Sequence, residues 1–127
     1  MSAGTLNISI EQGVTWDLPL IVYQPDGVTL RDLTIYTARM QIREKKNSSM
    51  CQLDLTTEND GIKLGGALGT IDIHISAAQT ASLTFDKAFW DLELVSDGTG
   101  DLAGEVIVER LVGGTVILSK EVTKEIV

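Results

Sequence analysis

The sequence predicts an all-β protein: a mostly antiparallel β-sandwich of about eight strands with one short helix near residues 76–83. Three observations predict it. Apolar and polar residues alternate along most of the chain: Ile71, Ile73 and Ile75 interleave with Asp72 and His74, and Trp90, Leu92 and Leu94 with Asp91 and Glu93. Side chains on a strand point to opposite faces every second residue, so each run has one greasy and one wettable side. Turn signals recur at intervals of roughly 8–12 residues, the spacing of sandwiches and barrels. One stretch alone breaks the alternation, Ser76 to Leu83, where Ala77, Ala78, Ala81 and Leu83 lie at helical spacing behind a serine able to cap the first turn.

Taken in order, Leu6, Ile8 and Ile10 alternate with Asn7 and Ser9 ahead of a turn at Gly13, and Thr15 to Tyr23 carries Trp16, Leu18, Leu20 and Val22 on one face. Pro19 lacks a ladder donor and therefore places this second strand at an edge or a bulge. Gln24-Pro25-Asp26-Gly27 is a tight connection, with proline pre-setting the turn. Thr37 to Glu44 points Ala38, Met40 and Ile42 inward and Arg39, Gln41 and Arg43 outward. Lys45 to Ser49 is a polar loop, Leu53 and Leu55 begin another strand, and Glu58-Asn59-Asp60-Gly61 turns the chain towards Ile62 and Leu64. Gly65 and Gly66 lead into the isoleucine strand and the helix. Trp90 to Val95, Leu102 to Leu111 and Thr115 to Val122 complete the sheets, joined by Asp97-Gly98-Thr99-Gly100-Asp101 and by a compact hairpin at Gly113-Gly114.

The 127 residues fit one domain spanning 1–127, long enough to bury about two-thirds of the unfolded surface. Ten basic residues against 18 acidic ones give a net charge of −8, which repels phosphate and anionic lipid and excludes nucleic acid and membranes as expected partners. The lone Cys51 can form no internal disulfide. The opening residues, MSAGTLNISI, have neither a basic leader nor a continuous apolar run, so synthesis in the cytoplasm is expected.

Candidate chemistry is sparse. His74 is the only histidine and lies between isoleucines on the polar face of its strand, so no histidine-based metal set is expected. Cys51 beside Met50 reads as a small apolar residue. No G-x-S-x-G elbow, H-E-x-x-H pair or Walker loop occurs. Asp91 and Glu93 share a strand face, the ordinary place for solvated carboxylates, and a hydrolase built on them ranks last. Asp97 and Asp101 flank two glycines without the calcium-loop pattern. No catalytic residue, metal or cofactor is therefore expected. Trp16 and Trp90 are in phase with core leucines and read as core anchors. Were either exposed beside polar groups, the chain would read instead as a carbohydrate-binding β-sandwich recognising a cell-surface glycan.

The segment Asp32 to Arg43, DLTIYTARMQIR, resembles the "dLTgytarmqiR" stretch of small tail-associated proteins of tailed bacteriophages and prophages, including the N-terminal domain of baseplate upper proteins. Similar too are Gly61-Ile62 with Leu64, Gly69 to Ile75, the Ser76 to Ala81 turn, Trp90-Asp91-Leu92-Glu93-Leu94, Gly104 to Arg110, and Val122-Thr123. Two positions depart: Ile35 stands where the pattern has glycine, and Trp90 where it has tyrosine. The resemblance implies a non-enzymatic virion protein of the tail or baseplate, assembling with itself as a homo-oligomer and with other tail, baseplate or fibre proteins. Under that reading Arg39, Gln41 and Arg43 are the expected interface residues, and exposed sheet faces and edges do the binding.

Overall fold

Two β-sheets face each other across one apolar core in the computed structural model, which describes residues 4–100 and 104–123. The strands are β1 (Gly4–Thr5), β2 (Ile8–Glu11), β3 (Trp16–Ile21), β4 (Tyr36–Arg43), β5 (Leu53–Thr56), β6 (Ile62–Leu64), β7 (Thr70–Ile75), β8 (Lys87–Ser96) and β9 (Val108–Ser119). The larger sheet runs β1-β9-β8-β4-β5, with β2 continuing along the β9 edge, and the smaller sheet runs β3-β7-β6. The expected sandwich, mostly antiparallel with one short helix, is what forms.

The core follows from the alternation. Ala38, Met40 and Ile42 of β4 pack with Trp90, Leu92 and Leu94 of β8 and with Val116 and Leu118 of β9. Ile71, Ile73 and Ile75 of β7 face them from the smaller sheet, with Trp16, Leu18 and Leu20 of β3 half-buried alongside. The helix, α1 (Ala77–Ala81), carries a complete capping box. The Gln79 N–H donates to the Ser76 hydroxyl at 3.1 Å, and the Ser76 N–H donates to the Gln79 side-chain oxygen at 2.9 Å. Thr80, fully buried, ties this helix to the strand connection before β3 by donating to the Val14 carbonyl at 3.0 Å.

Pro19 sits in β3, an edge strand paired only with β7. The Val22 N–H points at β7, donating to Gly69 at 2.8 Å; by the two-residue period the odd positions, Pro19 among them, present their nitrogens to the free edge. Its missing donor therefore costs no ladder bond.

Three expectations need correcting. First, β1 and β2 pair parallel with β9, because the N-terminal segment crosses to the last strand rather than folding back as a hairpin. Second, Gly113-Gly114 is no hairpin: β9 runs unbroken through both. A Cβ on Gly114 would lie 2.3 Å from the Leu6 carbonyl oxygen, so the glycine is there to let the N-terminal strand pass close by. That carbonyl turns inward to accept the Trp90 indole N–H at 2.9 Å, and Asn7 Oδ1 takes its place on the ladder, accepting from Thr115 N–H at 3.1 Å. Trp90 lies directly across from Gly114, an aromatic ring covering a glycine. Third, the last strand starts at Val108 rather than at Leu102, since Gly104, with φ of +84°, donates back to Gly98 and keeps the chain in a turn. Leu102 itself lies outside the described residues.

Candidate functional site: the outer face of the larger sheet

Four cross-strand pairs run down the middle of the larger sheet on its outward side. In register they are Thr37 with Val95, Arg39 with Glu93, Gln41 with Asp91, and Arg43 with Phe89. The Arg39 Nε donates to Glu93 Oε1 at 2.8 Å, an ion pair half shielded from water on the Glu93 side, where 26% of the carboxylate side chain is exposed. Gln41 donates to Asp54 at 3.2 Å and accepts from Arg43 at 2.8 Å through its side-chain oxygen. A second nitrogen of Arg43 holds the Ser48 carbonyl at 2.9 Å, anchoring the Lys45–Ser49 loop. From that loop Lys46 places its ammonium 5.3 Å from the Phe89 ring centre, within cation–π reach.

A bulge completes the row. Leu92 pairs with Val112 but Glu93 pairs with Arg110, so Leu111 is an extra residue. Without it Arg110 would sit opposite Leu94 and face the core; with it Arg110 stands beside Glu93 on the outer face, 3.4 Å from Asp91. Glu109 is thereby turned inward. It accepts from Arg31 at 2.7 Å, and this ion pair, with desolvation opposing it, raises the pKa of Arg31 further.

These residues border an open depression of about 690 Å³, lined among others by Gln41, Arg43, Lys46, Phe89, Asp91 and Arg110 and floored by Gly113 and Gly114. Gly113, opposite the outward-facing Asp91, adds no side chain to fill it. At strand positions the face carries Arg39, Arg43, Lys87 and Arg110 against Glu11, Asp54, Asp91 and Glu93. Four cations thus balance four carboxylates, in a chain whose net charge is −8.

The expected interface residues Arg39, Gln41 and Arg43 therefore lie together on one face; Gln41 and Arg43 border the depression, and Arg39 flanks it. Missed were Lys46, Phe89 and Arg110. The pairing of Phe89 with Arg43 was implicit in the two alternating strands, whereas Arg110 depends on a bulge that no residue pattern announces. Asp91 and Glu93 do border the depression, each engaged by an arginine.

The other candidates are scattered. His74 lies on the opposite, smaller sheet, its Nδ1 2.6 Å from Asp17. Cys51 is half-buried, its thiol donating to the Leu53 carbonyl at 3.0 Å. Asp97 is held below the usual carboxylate range by the Thr99 hydroxyl and then by the Thr99 N–H, so its oxygens already serve their own turn; Asp101 lies outside the described residues. The exposed tryptophan that glycan recognition required is not found: Trp90 is buried, and Trp16 is half-buried with its indole N–H on the Ser9 carbonyl at 3.1 Å.

No family model matches the chain, and neither does any curated protein. Among solved structures it is similar to the extracellular domains of the voltage-gated sodium channel beta4 subunit, described as parallel homodimers with a role in cell–cell adhesion. That likeness has 12% identity, 96% coverage of this chain, 97% of the other, and a TM-score of 0.47. A second sodium-channel beta-subunit structure, concerned with multimeric cell-adhesive interactions, has 16% identity, coverage of 95% and 96%, and a TM-score of 0.45. Tim-2 follows at 13% identity, coverage of 98% and 100%, and a TM-score of 0.36. None of these three is described as a virion component, so the expectation of a bacteriophage or prophage tail or baseplate protein residing in the virion with tail and fibre partners is not upheld by them.

Proposed function

We propose that the chain is a non-enzymatic association domain that binds a second copy of itself through the outer face of its larger sheet. The observation that carries this reading is the charge balance of that face. Two copies of net charge −8 repel one another, and a face with as many cations as carboxylates is where that repulsion is least. Its charges are also already arranged as neighbouring acid–base partners, so a second copy can extend the pattern. The surface is a broad, shallow one with half-shielded side chains, suited to a protein partner of similar flatness.

Light scattering on the eluting protein tests it. The expected mass is twice the 13.7 kDa of the chain, falling to the single-chain value in Arg39→Glu and unchanged in Asp17→Asn, which alters the smaller sheet. A single-chain mass at every concentration up to about 1 mM, where any association tighter than millimolar would register, overturns the proposal.

A further inference from the structure

We infer that the two copies are related by a two-fold axis that runs along the strands, midway between β4 and β8. This rests on the self-association reading and names its geometry. Under such an axis each β8 position of one copy lies over the β4 position with which it is already paired within its own sheet. The in-sheet pairs are Arg39 with Glu93, Gln41 with Asp91, Arg43 with Phe89, and Thr37 with Val95. Across the interface Glu93 then meets the second copy's Arg39, Asp91 its Gln41, Phe89 its Arg43, and Val95 its Thr37. No contact sets like charges together and each occurs twice, as a closed isologous interface requires. The Arg39–Glu93 pairs of the two copies close into a square of alternating charge.

The competing two-fold axis, running across the strands between the Arg39 and Gln41 rows, lays Glu93 over the second copy's Asp91, a like-charge contact between two carboxylates that β8 carries two residues apart. The smaller sheet offers no equivalent. Its outward β3–β7 pairs are Asp17 with His74, Pro19 with Asp72, and Ile21 with Thr70, and its outward β6–β7 pair is Lys63 with Asp72, so its two acid–base pairs lie between different strands and no single axis serves both. Twist splays face-packed sheets by about 30°, so the rows nearest the axis carry the contact while the sheet margins separate. The Lys46–Phe89 contact at one end and Val95 at the other mark the length of the shared strip.

Mixing separates this geometry from any other. Arg39→Glu alone places two carboxylates at each 39–93 contact, and Glu93→Arg alone places two cations there, so each variant is expected to associate at least tenfold more weakly than the parent chain. Mixed in equal amounts, they set the new glutamate of the first variant over the new arginine of the second, and the native Glu93 of the first over the native Arg39 of the second, and the two-chain mass returns. The broken pair inside each chain is not repaired by mixing, so recovery reports the contact between chains. A parent chain that pairs while the mixture stays single overturns the axis and leaves self-association standing; a parent chain that stays single overturns both. Should either variant fail to fold by circular dichroism, Gln41→Cys and Asp91→Cys chains, each also carrying Cys51→Ser, are mixed under oxidation. The expected product joins position 41 of one chain to position 91 of the other, and predominant 41–41 and 91–91 products overturn the axis.

Discussion

The outward faces of the two sheets are built on the same pleat yet differ in how their polar residues meet. On the larger sheet Arg39 and Glu93 are joined at 2.8 Å, Arg43 and Gln41 at 2.8 Å, and Arg110 approaches Asp91 at 3.4 Å, so the charges form a connected grid. On the smaller sheet Asp17 meets His74 at 2.6 Å, the next outward row sets Asp72 between Pro19 and Lys63, and the row beyond is Ile21 with Thr70, so the charges form no connected grid. The difference teaches that alternation alone does not make an interface. A strand's outer positions become a candidate site when their cross-strand partners are complementary, because that same complementarity is what a two-fold-related copy can use. The edges differ in the same sense: β3 at the margin of the smaller sheet carries Pro19, which denies an incoming strand one donor and discourages edge-to-edge pairing.

The largest effect that breaks this contrast is expected from Gly114→Val. Its Cβ would stand 2.3 Å from the Leu6 carbonyl oxygen, forcing the N-terminal strand off β9 and freeing the Trp90 indole. A loss of about 2–4 kcal/mol in urea unfolding is expected, from steric displacement and an orphaned buried donor together, with weakened self-association following. Trp90→Phe keeps most of the ring but leaves the Leu6 carbonyl without its donor, and is expected to cost about 1–2 kcal/mol by the same measurement.

A smaller effect distinguishes the loops from both faces. Asp26, Asp32 and Asp97 are each held below their ordinary value of 3.8, first by a threonine hydroxyl (Thr29, Thr34 and Thr99) and then by backbone N–H groups. Because the folded value is depressed, the stabilisation is present above about pH 4, where the unfolded groups are also ionised, and is lost as pH falls through the folded values. Thermal melts are expected to be flat from neutral to about pH 5 and to drop below pH 4, and a triple aspartate-to-asparagine chain should lose part of that drop. Smallest of all is Pro19→Thr. The proline nitrogen faces the free edge, so stability should change by less than about 0.5 kcal/mol, while sedimentation at high concentration should reveal edge-to-edge aggregation that the parent chain avoids.

Much of this architecture was legible in the residues. The isoleucine strand, the inward and outward sides of β4 and β8, the capped helix and the edge position of Pro19 all follow from periods of two or 3.6 and from the missing proline donor. What was illegible shares a cause: it depends on which strands end up side by side. Gly113-Gly114 has the composition of a hairpin, and only the passage of Leu6 over β9 makes it a strand interior. Parallel pairing of β1 and β2 with β9 joins residues more than 100 positions apart, as in the Asn7–Thr115 bond. Arg110 reaches the outer face through a bulge that shifts the period by one residue. Of the site, then, Arg39, Gln41 and Arg43 could be read from one strand, while Phe89, Lys46 and Arg110 needed the sheet.

The central claim is that one face is covered and the other is not, and carboxylate labelling with a water-soluble carbodiimide and an amine reads it directly. With rising protein concentration, modification of Asp91 and Glu93 is expected to fall several-fold while that of Asp17 and Asp72 stays constant. Modification of all four that is independent of concentration, or protection confined to Asp17 and Asp72, contradicts the account.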